Sequence, residues 1–186
     1  MLELPGVTLI CADTANHALA LRALAISQRD VRYGRSLFLT DAIPPGLSIP
    51  EGIEVIGIGP LASRDAYSQL MLKGLLPYID TAHALVIQWD GYVVNPKAWD
   101  PAFSDCDYIG AKWYWADAGL RVGNGGFSLR SRKRAPWSST TGCTSISTRH
   151  GRRSSRRTSS SAIGIFSGMP PLSPRCSPGA SSRRPR

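Results

Sequence analysis

The sequence predicts an α/β fold for residues 1–133 of this 186-residue chain, a mostly parallel sheet with helices on both faces. Three observations predict it. Short apolar runs recur along this part and are closed by acids or turn residues, segments with helical spacing separate them, and the charge is balanced. Residues 1–133 carry 12 Lys and Arg against 13 Asp and Glu, whereas residues 134–186 carry ten Arg and no acid. The net charge of +9 therefore belongs to the end of the chain and not to the body.

The elements follow in order. Val7–Ala12 is a short apolar run closed by Asp13, which suits a buried parallel strand with a polar loop at its C-terminal end. Asn16 can cap a helix whose apolar positions Leu19, Leu21, Leu24 and Ile26 run on toward Ser27. Ser36–Thr40 is a second strand, again ended by an acid, Asp41, and Pro44-Pro45-Gly46 then breaks the chain. Ile53–Ile58 reads as a third strand. Ser63 starts a second helix with Tyr67, Leu70, Met71 and Leu75 on one face. Ala84–Gln88 has the composition of a central strand, and Tyr108–Ala111 adds a short one. Strands alternating with helices imply parallel pairing with both sheet faces covered. Ligands of such sheets bind beyond the C-terminal strand ends, where Asp13, Asp41 and Asp90 fall.

Composition changes after Lys133. Of residues 134–186, 14 are Ser, six are Pro and only seven are Leu, Ile, Met, Phe or Trp. Such a segment cannot offset its ordering entropy by burial, so a disordered basic tail is expected. Arg, Ser, Pro and Gly without acids also result when a GC-rich gene is translated out of frame, so a frameshifted tail is the other origin that fits. The longest apolar runs, Ala84–Ile87 among them, fall far short of the ~20 residues of a membrane span. Met1–Pro5 has no basic or long apolar signal segment, so a cytoplasmic location is expected. Cys11, Cys106, Cys143 and Cys176 form no C-x-x-C pair, which argues against zinc and thioredoxin-like sites and for free thiols.

Two segments could carry chemistry. Gln88-Trp89-Asp90-Gly91-Tyr92 follows the central strand, and a carboxylate with an amide oxygen two residues away can hold a hard divalent cation against a diphosphate. The alternative for Asp90 is an ordinary turn residue. Gly123-Asn124-Gly125-Gly126 lets the backbone approach a ligand closely, and Asn124 can both donate to and accept from a sugar hydroxyl. The alternative there is a tight turn entering a strand. No G-K-[ST] follows, so it is no P-loop, and Asp13-Thr14-Ala15-Asn16 lacks the G-x-G-x-x-G turn of a nicotinamide-binding strand. His17 and His83 have no partner at ligand spacing and read as helix-flanking hydrogen-bonders.

Together with Cys11–Thr14, Leu39–Asp41, Ser63–Ser68, Met71–Lys73 and Asp107–Ala111, these motifs resemble a bacterial domain-of-unknown-function family grouped with GT-A glycosyltransferases. The resemblance covers residues 4–133 in unbroken order, and Q-W-D-G-Y with N-G-G-F-S-L-R is its specific pair of motifs. It implies a GT-A-like, Rossmann-like fold, here lacking the family's C-terminal part. It also implies transfer of a sugar from a nucleotide-sugar donor to an unknown acceptor. GT-A enzymes often carry D-x-D where this chain has Gln88-Trp89-Asp90. By the resemblance Asp90 and Gln88 would hold Mg²⁺ or Mn²⁺, and Asp13, Asp41 and Lys73 would join them on the donor. Gly123, Asn124, Gly125 and Gly126 with Trp89, Trp113 and Trp115 would wall the sugar and acceptor side. The chain past Asp117 has no Asp or Glu and only His150 as an ordinary titrating base, so this copy is expected to transfer poorly. The competing reading is a non-catalytic nucleotide- or nucleic-acid-binding protein gripping phosphates with its Arg-rich tail.

Overall fold

The computed structural model describes residues 1–112, 122–135 and 137. Six strands form one sheet in the order β3-β2-β1-β4-β6-β5. They are β1 (Leu2–Ala12), β2 (Val31–Thr40), β3 (Glu54–Gly57), β4 (His83–Ile87), β5 (Tyr108–Lys112) and β6 (Val122–Ser131). The first four strands run parallel, whereas β6 is antiparallel to both β4 and β5. The predicted α/β class with a largely parallel sheet is therefore observed. No helix among the described residues is long and apolar enough to cross a membrane.

Successive side chains of a strand point to opposite faces, and both faces here are apolar. Leu9, Cys11, Phe38, Leu85 and Ile87 pack against Ala20, Leu21 and Leu24 of helix α1 (His17–Gln28). On the other face Ile10, Ala12, Leu37, Leu39, Ala84 and Val86 meet Met71, Leu75 and Ile79. That cover starts with α2 (Arg64–Gln69), whose first turn is capped by the Ser63 hydroxyl accepting from the Ala66 N–H at 3.1 Å. The helix predicted from Ser63 to Leu75 does not stay α-helical: Leu70–Gly74 forms a π-helical turn.

Several boundaries differ from expectation for identifiable reasons. β1 starts at Leu2, before the expected Val7, because Pro5 and Gly6, which break the apolar pattern, sit with Val7 in a bulge opposite Gly34. Gly34 is required there, since a Cβ would overlap the Pro5 carbonyl oxygen. Asn16 makes no side-chain cap for α1; Asp13 Oδ1 instead accepts from the Ala15 and Asn16 N–H groups at 2.7 and 2.6 Å. The predicted tail lies outside the described residues except for Arg134, Ala135 and Trp137. Arg134 pairs with Asp107 at 2.8 Å, and the Trp137 indole donates to the Ser131 carbonyl at 3.1 Å and packs on the α2-side core.

Candidate functional site

The strand order turns about β1. From there the chain moves outward through β2 and β3, then returns to the other side of β1 for β4. Neighbouring parallel strands whose connections leave in opposite directions open a crevice at their carboxyl ends. At that crevice Cys11 lies level with Ile87, so Asp13 and Gln88-Trp89-Asp90 emerge side by side. Asp13 N–H donates to the Leu39 carbonyl at 3.1 Å, which brings the Asp41 loop alongside as well.

The buried Cys11 thiol has its pKa pushed up, first by burial and then by the carboxylates of Asp13 and Asp90. One atom at the end of β1 thus feels both acids, and the thiol stays neutral. Gln88 and Gly91 exchange backbone hydrogen bonds at 3.0 and 3.2 Å, forming a tight turn with Trp89 and Asp90 at its tip. Trp89 is 40% exposed there. Behind the turn, Val93 N–H donates to the buried Ser27 hydroxyl at 3.1 Å, which anchors the segment to α1.

Asp41 lies 3.5 Å from His17 Nε2, and the His17 ring stands edge-on to Phe38 at 6.3 Å. His17 lines a groove with Asn16 and Leu19 together with Pro44, Pro45 and Gly46; neither Asp41 nor Asp90 is part of its lining. His83 opens β4 with its Nε2 buried and without a hydrogen bond, contrary to the role expected of it. Lys73 is exposed on the π-helical turn.

Gly123–Gly126, predicted as a loop, lie inside β6. Glycine carries no apolar pattern, so only the pairing with β5 reveals the strand. Part of the expected irregularity is nevertheless there, because the register with β5 skips from Ser128 to Asn124 and leaves a bulge at Gly125–Phe127. Antiparallel pairing of Val86 with Ser128 carries this end of β6 past the carboxyl end of β4, and the Gly91 turn faces Phe127. The backbones of Gly123 and Asn124 belong to β6, but the Asn124 side chain, Trp113 and Trp115 lie outside what is described.

Sequence reasoning missed two residues here. Arg130 is 1% exposed, with its Nε donating to Ser128 Oγ at 2.9 Å and its terminal nitrogens to the Met71 and Gly125 carbonyls. The Tyr67 hydroxyl is buried without a hydrogen bond of ordinary geometry beside the Gln88 side chain, and burial raises its pKa. The position of Tyr67 on the apolar face of a predicted helix gave it away only as a packing residue.

Among the described residues no group of three or more His, Cys, Asp or Glu is placed to hold a metal.

No curated protein matches the chain. Among solved structures, one described as a crystal structural analysis of an active-site mutant of LgtC matches with a TM-score of 0.49 and 18% identity. The match covers 69% of this chain, which spans 59% of that one. The family model described as "Protein of unknown function (DUF5672)" matches residues 53–150, more than half of the sequence and including both the Gln88–Gly91 turn and β6, and the chain belongs to that family.

Proposed function

We propose that this protein is a glycosyltransferase-like transferase that binds a nucleotide sugar at the carboxyl ends of β1 and β4. The observation that carries the reading is the placement of Asp13 and Asp90 on the two sides of the sheet's switch point, close enough that both act on the Cys11 thiol. The family resemblance of Q-W-D-G-Y and N-G-G-F-S-L-R supports the same site. Asp13 and Asp41 face the nucleoside side, and Lys73 approaches the diphosphate. Trp89 and Trp113 with the Gly123–Gly126 stretch shape the sugar and acceptor side. Asp90 and Gln88 would hold Mg²⁺ or Mn²⁺, whose chemistry is to neutralise charge on the departing nucleotide.

Transfer itself is expected to be slow. A base that relieves the acceptor hydroxyl of its proton is worth about 10²–10⁴-fold in rate, and residues 118–186 contain no Asp or Glu to supply one. Donor binding is independent of that deficit.

The test is calorimetric titration of a panel of nucleotide sugars, with and without Mn²⁺, into the full chain and into Asp90→Asn. A donor is expected to bind the wild type in a metal-dependent way, and the variant at least about tenfold more weakly. Failure of every donor to bind at millimolar concentration would remove the reading. Phosphate binding that ignores Asp90 and collapses between about 50 and 200 mM salt would point to the Arg-rich residues 134–186 instead.

A further inference from the structure

Arg130 is the one fully buried cation among the described residues. Its acceptors are a hydroxyl, Ser128 Oγ at 2.9 Å, and two carbonyls, those of Met71 and of Gly125, the latter at 3.0 Å. The rings of Tyr108 and Trp137 lie 5.9 and 5.5 Å from its Cζ. Every one of these partners is neutral, and no carboxylate pairs with Arg130 among the described residues. A guanidinium withdrawn from water without a counter-charge is costly to hold, and desolvation duly depresses its pKa. A purely structural tie between two carbonyls would not need a charge.

Both carbonyls belong to segments that the nucleotide-sugar reading assigns to the site. Met71 sits in the π-helical turn that carries Lys73, a distortion that recurs at functional positions in helices. Gly125 sits at the β6 bulge, and a Cβ on it would stand 3.1 Å from an Arg130 terminal nitrogen. The buried Tyr67 hydroxyl, without a hydrogen bond, feels the charge of both Arg130 and Asp13, so the guanidinium and the strand-end acids act on one small region.

We propose that Arg130 is a positioning residue for a diphosphate: it ties the π-helical turn to the glycine bulge, and its charge, which no carboxylate among the described residues balances, draws the anion to the end of β4. The identification of that anion as the donor's diphosphate rests on the nucleotide-sugar reading above. The charge is buried, so the attraction acts through protein and not by direct contact. Across a distance of about 10 Å in a medium of effective dielectric about 20, one unit charge changes affinity roughly tenfold.

Inorganic pyrophosphate titrated into the full chain tests this, with Arg130→Met, Arg130→Gln and Arg130→Lys compared by near-UV circular dichroism for retention of fold. The Met and Gln variants remove the charge and are expected to bind about tenfold more weakly. The Lys variant keeps the charge without the planar fork and is expected to stay within about threefold of wild type at low salt. A natively folded Met or Gln variant binding as wild type would overturn the proposal, as would a wild type that binds no pyrophosphate. Should neither neutral variant fold, a folded Lys variant with a loss beyond tenfold would overturn the charge's role, and retained affinity would uphold it. Arg130-dependent pyrophosphate binding in a chain that takes no nucleotide sugar would keep this inference and remove the donor reading. Nucleotide-sugar binding unchanged by Arg130→Met would do the reverse.

Discussion

The two ends of the parallel strands are built differently. At the amino-terminal end the backbone is locked. Gly34 lies against the Pro5 carbonyl, Thr8 and Thr81 share a 2.7 Å hydrogen bond, and Thr81 donates on to the His83 carbonyl at 2.7 Å. Arg35 ties Glu54 and Asp80 across the entries to β3 and β4. At the carboxyl end three acids, Asp13, Asp41 and Asp90, stand on loops, Trp89 is exposed, and the Tyr67 hydroxyl is buried without a bond. The amino-terminal end ties most of its polar groups internally, His83 Nε2 being the exception, whereas the carboxyl end gathers its acids and an exposed ring on loops. Stability and binding should therefore separate along the strand direction.

Gly34→Ala should give the largest effect on the first of these. The added Cβ meets backbone that cannot swing aside, so the bulge between β1 and β2 must open. A loss of about 1–3 kcal/mol or more is expected, as for other overpacked sites, measured by urea denaturation. Ligand affinity of the folded fraction should not change. If it did, the two ends would be mechanically coupled and the separation would fail.

Asp13→Ala should fall between the extremes because Asp13 both holds the start of α1 and carries charge at the crevice. Its Oδ1 holds two N–H groups at the entry to α1, and its charge reaches the crevice. The expected stability loss is about 1 kcal/mol, as for a lost helix cap, together with weaker donor binding. Asp13→Asn keeps an acceptor and should restore most of the stability but none of the charge. Equal destabilisation by Asn and Ala would show that the cap needs the full carboxylate.

How much of this was legible in the sequence depends on what each residue advertises. Val7–Ala12 and Ala84–Ile87 announce buried strands by apolar runs, and the acids that close them marked the right edge of the sheet. β6 was hidden because Gly123, Gly125 and Gly126 carry no side-chain pattern and this glycine-rich half pairs only with β5, at the far edge. Leu2–Leu4 was hidden by Pro5, whose tolerance depends on a bulge that only Gly34 permits. Arg130 reads in sequence as one more solvated arginine. Its burial comes from Tyr108 and the Met71 turn, both distant in the chain, and from Trp137 beyond the change of composition, and no local pattern encodes it. Trp137 likewise follows a sharp change of composition at Lys133 yet packs on the body.

The smallest effect sharpens the picture of the locked end. Arg35 Nε and Nη2 donate to the two Glu54 oxygens at 3.0 and 2.6 Å, and Nη1 donates to Asp80 at 3.2 Å. The hydrogen bonds from Arg35 are the main cause that holds the Glu54 carboxyl below its usual range. A folded-state value below the unfolded one, about 4.3, means that the pair's contribution is fully present above that pH. It is lost as pH falls through the folded value, where Glu54 becomes protonated in both states. The Glu54 side chain is 52% exposed, so solvent screens the pair and the contribution should stay under about 1 kcal/mol. Urea denaturation of wild type and Glu54→Gln should show that gap at pH 7, shrinking toward pH 3 and in about 1 M salt, where the screening length falls to about 3 Å. A gap independent of both pH and salt would mean that Glu54 acts at the start of β3 through packing, and that the amino-terminal end is held by its backbone contacts alone.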